Sequence, residues 1–231
     1  MRRLLTVITA FWMSATGAAM ADQPVVVELF TSQGCSSCPP ADRILGELSQ
    51  RDDVIALAMH VDYWDYLGWK DIFADPANTK RQRAYARAAG QRSIYTPQMV
   101  IGGKDHVIGS KPMKISSLIR KHGRKNALVD VRLTRSGNQV SVEAKPAGTI
   151  RGGTIVQLVT YVPKSTVDIR RGENAGRKLT YFNIVQDVSV LGKWNGSGTY
   201  KASAKVPADV NVVVLVQSPG AGPILGAARL R

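Results

Sequence analysis

The sequence holds two cysteines, Cys35 and Cys38, both inside the stretch LFTSQGCSSCPPADRIL at residues 29–45. Two thiols three positions apart can form a reversible disulfide, share a soft metal ion or act as a structural bridge. A bridge across so short a loop constrains the unfolded chain little, which argues against the staple. A structural zinc site wants four ligands, and the sequence adds only three scattered histidines to the two thiols. The pair follows the apolar run VVVELF at 25–30. It precedes Ala41, Ile44, Leu45 and Leu48, spaced i, i+3, i+4, i+7 as one face of a helix. The cysteines therefore fall at a strand's C-terminal end and a helix's start, where unpaired backbone N–H groups favour an anion. A thiolate placed there has its pKa drawn below the free value of about 8.5. Cys35 is expected to be the exposed nucleophile, and Cys38, one turn on, the more buried resolving thiol. Ser36 and Ser37 are small enough for the ring to close, and Pro39 and Pro40 are tolerated because a first helical turn loses no backbone hydrogen bond.

The elements that must position this pair alternate. The β-branched run at 25–30 predicts a strand buried on both faces, and VIALAMHV at 54–61 a second one. A segment rich in aromatics and carboxylates follows, DYWDYLGWKDIF at 62–73. Asp75 and Pro76 supply an N-cap and first-turn proline for a helix over 77–89, closed by Gly90. Pro97 leads into a strand at 98–101, Gly102-Gly103 turns it, and 104–108 returns as a hairpin. Pro112 opens a helix that Gly123 closes. The order β-α-β-α-β-β-α requires the first two strands to be parallel, joined by a crossover helix. Near residue 126 the texture changes. Strands are expected at 129–133, 140–144, 155–162, 179–190, 199–206, 212–217 and 224–230, separated by turn signals and with no convincing helix, which suggests a β-sandwich.

A C-x-x-C in a β-α-β setting reads as a redox motif, and here the chain resembles the thioredoxin superfamily. The resemblance covers about residues 24–123 and rests on Cys35-Ser-Ser-Cys38 and on Thr96-Pro97 before the third strand. It implies that Pro97 is cis and faces the cysteines, and that the backbone of Thr96 pairs with an extended substrate. It also implies a buried acid in the first strand, for which Glu28 is the match if the loop carries one extra residue; such a carboxyl could shuttle the Cys38 proton. The chain departs from ordinary thioredoxins in Gly34, where an aromatic is usual, and in the doubled proline. FTSQGCSSCPPAD with HVDYWDYLGWKDIF downstream looks most like a family of exported bacterial proteins that carries a domain of unknown function and a thioredoxin-like fold.

The second strand also ends at the site's edge, so Asp62, Tyr63 and Trp64 are expected to line a substrate groove, with Tyr66 and Trp69 behind. Aromatics with a polar tip suit such a groove. Trp69 is better placed to pack the junction with the β-rich half, and His60, in an apolar strand, reads as a hydrogen-bonded core residue. His106 and His122 have no partner spacing.

Arg2 and Arg3, an apolar run at 4–13 and Ala19-Met20-Ala21 read as a signal peptide. The expected organisation is a leader at 1–21, a thioredoxin-like domain at 22–125 with a helical insertion at about 62–92, and an all-β domain at 126–231. The expected location is the periplasm or the exterior, where thiols oxidise. The whole chain carries a net charge of +14, and the two leader arginines account for two of these charges. Residues 22–126 hold 15 basic and 11 acidic side chains; residues 127–231 hold 14 and 6. That excess implies weak attraction to anionic envelope surfaces. A basic stripe interleaved with aromatics is lacking, so no nucleic-acid partner is expected. No cofactor is expected either: there is no phosphate-cradling glycine loop, and Gly102-Gly103 is a turn. The leading expectation is an exported thiol–disulfide oxidoreductase acting on protein or small-molecule thiols and disulfides, recycled by a redox partner the sequence does not name. Two other readings stay open: copper handling by the two thiols, and a partner-binding module in which the C-x-x-C is auxiliary.

Overall fold

In the computed structural model, which describes residues 23–230, β1 (Val25–Thr31) and β2 (Val54–His60) are parallel neighbours, with Val25 opposite Val54 and Thr31 opposite His60. Both strands are buried along their whole length, as continuous apolar runs require. Helix α1 (Pro39–Leu48) makes the crossover between them. β3 (Gln98–Ile101) adds to β1 antiparallel, and β4 (Asp105–Ile108) pairs with β3 across Gly102-Gly103. Those two glycines adopt φ of +61° and +67°, the left-handed region the tight turn demands. Helix α2 (Pro76–Ala88) starts where the Asp75 side chain accepts from the Ala77 N–H, 2.7 Å away. Helix α3 (Pro112–Gly123) closes this half. The expected leader, 1–21, lies outside the described residues. Among the described residues no helix is long and apolar enough to cross a membrane.

The second half is all-β, with seven strands: β5 (Val129–Ser136), β6 (Gln139–Pro146), β7 (Thr154–Asp168), β8 (Lys178–Trp194), β9 (Tyr200–Lys205), β10 (Asn211–Gln217) and β11 (Ile224–Leu230). They form two packed layers. One layer is the three-stranded sheet β5-β6-β9; the other is β11-β10-β7-β8. Val129, Val140 and Val142 from one layer meet Val156, Leu158 and Val214 from the other in a shared core. The second layer does not stop at the half's boundary. β8 joins β2 through Ala58 and Ile184, so eight strands run β11-β10-β7-β8-β2-β1-β3-β4 in one mixed α/β sheet. Asn183, with φ of +47°, donates to the Ala56 carbonyl at that junction.

The two faces of the central sheet carry separate cores. Val25, Val27 and Leu29 of β1 pack with Ala41 and Leu45 of α1 and with Ile115 and Ile119 of α3. The alternate residues, Val26 and Phe30, pack on the other face with Tyr85 of α2 and Val213 and Leu215 of β10. Period-two alternation thus decides which side chains of β1 can lie beneath α1.

β7 and β8 form a hairpin longer than the sheet that holds it. Residues 155–161 of β7 pair with β10, while residues 164–168 pair only with 178–182 of β8. This outer half leaves the sheet and runs along α1, where Phe182 lies against Gly46. Its tip, residues 169–177, reaches the cysteines.

Candidate redox site

Cys35 and Cys38 are joined by a disulfide, with Cα atoms 5.4 Å apart. The pair sits where β1 ends and α1 begins, as expected, and Cys38 is the residue preceding the first helical position. The Cys38 N–H donates to the Cys35 carbonyl, and the Cys38 carbonyl accepts from Ala41 and Asp42. Ser36 and Ser37 are exposed. The expected exposure of Cys35 is not found: it is 2 % exposed and Cys38 is fully buried. The residues that bond the cysteine loop come from 137–141 positions downstream. Asn174, itself buried, donates through Nδ2 to the carbonyls of Gln33 (2.9 Å) and Cys35 (3.0 Å). Glu173 accepts from the Ser36 N–H at 3.1 Å, and hydrogen bonding from Ser36, side chain and backbone, holds its carboxyl below the ordinary value. Gly172, at φ of +76°, fits against Trp69 and the Leu67 carbonyl, where an added Cβ would lie 3.1 Å from the Trp69 Cβ.

A buried polar cluster lies where α1 meets the ends of β1 and β2. Asp42, on α1 one turn after Cys38, accepts from the Thr31 hydroxyl at 2.8 Å. Burial pushes its carboxyl up to about 7; Asp71 pushes the same way, while His60 and the Thr31 hydrogen bond oppose the shift. His60, at the end of β2, is fully buried, with Nδ1 2.7 Å from an Asp71 carboxylate oxygen. That oxygen also accepts from the Gln33 N–H, and its partner oxygen accepts from the Phe73 N–H. The His60 ring meets Tyr181 and Phe73 edge-on at 4.9 and 5.3 Å. His60 Nε2 and the Tyr181 hydroxyl are buried with no hydrogen-bond partner among the described residues. Burial, with Asp42 and Asp71 nearby, moves the Tyr181 phenol upward. His60 is therefore the hydrogen-bonded core histidine expected of it, with one ring nitrogen still available. A crevice of about 490 Å³ between α1 and β8 leads to Asp42 past Arg43, Arg177 and Lys178.

Glu28 belongs to a different place. It alternates onto the opposite face of β1 from Val27 and Leu29, away from α1. There it pairs with Arg81 at 2.6 Å and accepts from the Tyr85 hydroxyl at 2.5 Å. Arg81 in turn donates to Gln157 of β7 and Gln217 of β10. Glu28 ties α2 to the β-rich half; the acid near Cys38 is Asp42. Its position four residues after Cys38 on a helix was a signal available in the sequence. Asp71, Glu173, Asn174 and Tyr181 carried none, because each arrives through a loop or a distant strand.

Thr96–Pro97 is cis. The space at Gly109 is bounded by Pro97 and by Ala41 of α1, which sets the proline near the first turn of that helix. Trp64 packs against Gly34 and donates through its indole N–H to the Thr96 hydroxyl at 2.7 Å. That contact explains Gly34: a Cβ there would sit 3.2 Å from Trp64. Asp62 accepts from the Thr79 hydroxyl and, with Tyr63, Lys80, Arg83 and Arg87, lines a shallow cavity of about 410 Å³. Burial pushes the Tyr63 phenol up to about 12. Trp69 packs against the β-rich half, as expected, and donates to Gln33. Tyr66 is exposed and outside the groove. Among the described residues no group of three or more His, Cys, Asp or Glu side chains is disposed to hold a metal ion.

The comparisons fit this architecture. No curated protein matches the chain. The crystal structure of a protein from Agrobacterium tumefaciens is 35% identical, covers 92% of this chain and 96% of its own, and superposes with a TM-score of 0.78. HBP35 of Porphyromonas gingivalis shares the fold at 17% identity and a TM-score of 0.62, over 90% of this chain and 75% of its own. The family described as "Protein of unknown function (DUF1223)" matches residues 26–217, and the chain belongs to it.

Proposed function

We propose that the chain is a thiol–disulfide oxidoreductase with Cys35 and Cys38 as its redox pair, carried on a thioredoxin-like half spanning about residues 22–125. The observation that carries this reading is the Cys35–Cys38 disulfide at the α1 N-terminus, with Asp42 four residues after Cys38 in a buried cluster with His60 and Asp71. The cis Thr96–Pro97 bond beside α1 and the parallel β1-α1-β2 unit support the thioredoxin-like reading. In the reduced protein the Cys35 thiolate attacks one sulfur of a substrate disulfide. A Cys35–substrate bond forms, the substrate bond breaks, and the departing thiolate takes a proton. Cys38 then loses its proton to Asp42 and attacks the Cys35 sulfur. The second substrate thiolate leaves and takes up the proton that Asp42 releases through solvent, so the protein has given up two electrons and one proton, the Cys35 proton having left when that thiol ionised. Asp42 suits that proton transfer because its carboxyl titrates near neutrality, and the crevice past Arg43 connects it to solvent. The Trp64–Thr96 edge is the place for an extended substrate, and an oxidising, exported location, which the expected leader at 1–21 implies, is the natural setting.

The test uses oxidised glutathione. Reduced protein should exchange with it to a measurable equilibrium, and Cys38→Ser should accumulate a mixed disulfide on Cys35 visible by mass. A reduced wild type that leaves oxidised glutathione untouched at pH 8 would refute the proposal.

A further inference from the structure

The disulfide is covered, and the cover is built from a specific set of contacts. Three hydrogen bonds join the tip of the β7–β8 hairpin to the cysteine loop: Asn174 to the Gln33 carbonyl, Asn174 to the Cys35 carbonyl, and the Ser36 N–H to Glu173. The tip is itself organised. Ile169 and Arg177 close its base through a backbone hydrogen bond, Arg177 holds the Asn174 side-chain oxygen at 2.8 Å, and Ile169 is buried. Gly172 seats it on Trp69, whose indole is fixed by Gln33 of the cysteine loop. Yet the strands beneath it, 164–168 and 178–182, pair only with each other. The tip is thus bound firmly at its end and held by no neighbouring strand along its stem.

We propose that Glu173 and Asn174 are positioning residues of the redox site, holding the hairpin tip over Cys35 so that a thiol reaches the disulfide only when the tip lifts. The inference builds on the redox reading of Cys35 and Cys38 and adds what controls access to them. In the closed arrangement Cys35 is 2 % exposed, which leaves a thiol almost no approach to it. Lifting the tip breaks three hydrogen bonds and frees the Gln33 and Cys35 carbonyls to bind water or the backbone of an extended substrate. Selectivity follows: a partner that competes for those carbonyls and for the Ser36 N–H opens the site for itself, whereas a small thiol waits for spontaneous opening.

Dithiothreitol is the probe. Its thiolate attacks the Cys35 sulfur, the Cys38 thiolate leaves and is protonated, and the second thiol of the reagent closes on the mixed disulfide. The protein gains two electrons and two protons and the reagent becomes its cyclic disulfide. In the wild-type full chain the reduction rate should rise with reagent concentration and then level off at the rate of tip opening. Glu173→Ala/Asn174→Ala removes the three hydrogen bonds and should raise the plateau about tenfold or more, the scale expected when several such bonds are lost from one of two states. Gly172→Ala, which leaves those bonding groups in place but crowds Trp69 and strains a φ of +76°, should raise it as well. Circular dichroism of each oxidised variant checks that the fold is kept. A rate that stays proportional to reagent concentration with one slope in all three proteins would overturn the proposal. So would a disulfide that remains oxidised in all three, because the tip would then not be what protects it. A protein that shows the plateau and its rise but cannot exchange with oxidised glutathione would sink the redox function while leaving the gating intact.

Discussion

Replacing Asp42 by asparagine removes one ionisable group from the buried cluster while keeping an amide oxygen that Thr31 can bond. The magnitude follows from where the carboxyl titrates. Asp42 carries a folded-state pKa of about 7 against an ordinary 3.8. Below pH 3.8 the carboxyl is protonated in both folded and unfolded chains and costs nothing. Between pH 3.8 and 7 the unfolded chain releases its proton while the folded one retains it, so stability falls as pH rises. The rise from 3.8 to about 7, at about 1.36 kcal/mol per pH unit, makes the full loss about 4 kcal/mol, reached above pH 7. The neutral amide of Asp42→Asn has no such slope. The assay is urea unfolding of the oxidised wild type and Asp42→Asn at half-unit steps from about pH 3.5 to 8.5. Taking the difference between the two proteins at each pH cancels every other titrating group that the substitution leaves unchanged. The variant should gain about 4 kcal/mol relative to wild type across that range, with most of the change between about pH 4 and 7. Parallel stability profiles would refute the burial argument and, with it, the role of Asp42 as a proton acceptor poised near neutrality.

Two further outcomes test the frame around the site. Arg81→Met strands the buried Glu28 carboxylate with Tyr85 as its remaining side-chain partner and should cost about 3–5 kcal/mol in urea unfolding; a cost under about 1 kcal/mol would mean that Glu28 is not held by that pair. Gly226→Ala drives a methyl into the backbone carbonyl of Val129, where β11 crosses β5, and should lower stability by about 1–3 kcal/mol with the dithiothreitol kinetics of the oxidised disulfide unchanged; an unaltered unfolding midpoint would contradict the close packing of the two layers.

What could be seen in the sequence divides along contact distance. The β1-α1-β2 unit, the Asp75 cap, the Gly102-Gly103 turn and the seven later strands were legible because each depends on residues close in sequence. The Cys35–Cys38 position at a helix start was legible for the same reason. Period two was also enough to separate Glu28 from Val27 and Leu29, but the resemblance to thioredoxins drew attention to the acid in the strand rather than to Asp42 in the helix. The continuity of the sheet across the two halves was hidden, because the ladder between β2 and β8 rests on one residue pair, Ala58 and Ile184, beside an Asn183 backbone that no local pattern specifies. The burial of Cys35 was hidden too. Residues 169–177 hold three arginines and two glycines, and nothing in their composition says that Asn174 will bond a carbonyl 139 positions earlier.

That separation sets an order of events during synthesis. At about 5–20 residues per second, the ribosome needs roughly 7–28 s to travel from Cys35 to Asn174. Throughout that interval the thiols exist without their cover, open to any oxidant or partner that meets the nascent chain. Once the hairpin is complete the same pair is enclosed. The newborn protein and the finished one therefore present different chemistry from identical residues: before the hairpin exists the pair is open to any thiol or oxidant, and afterwards it is reached only through the hairpin's opening.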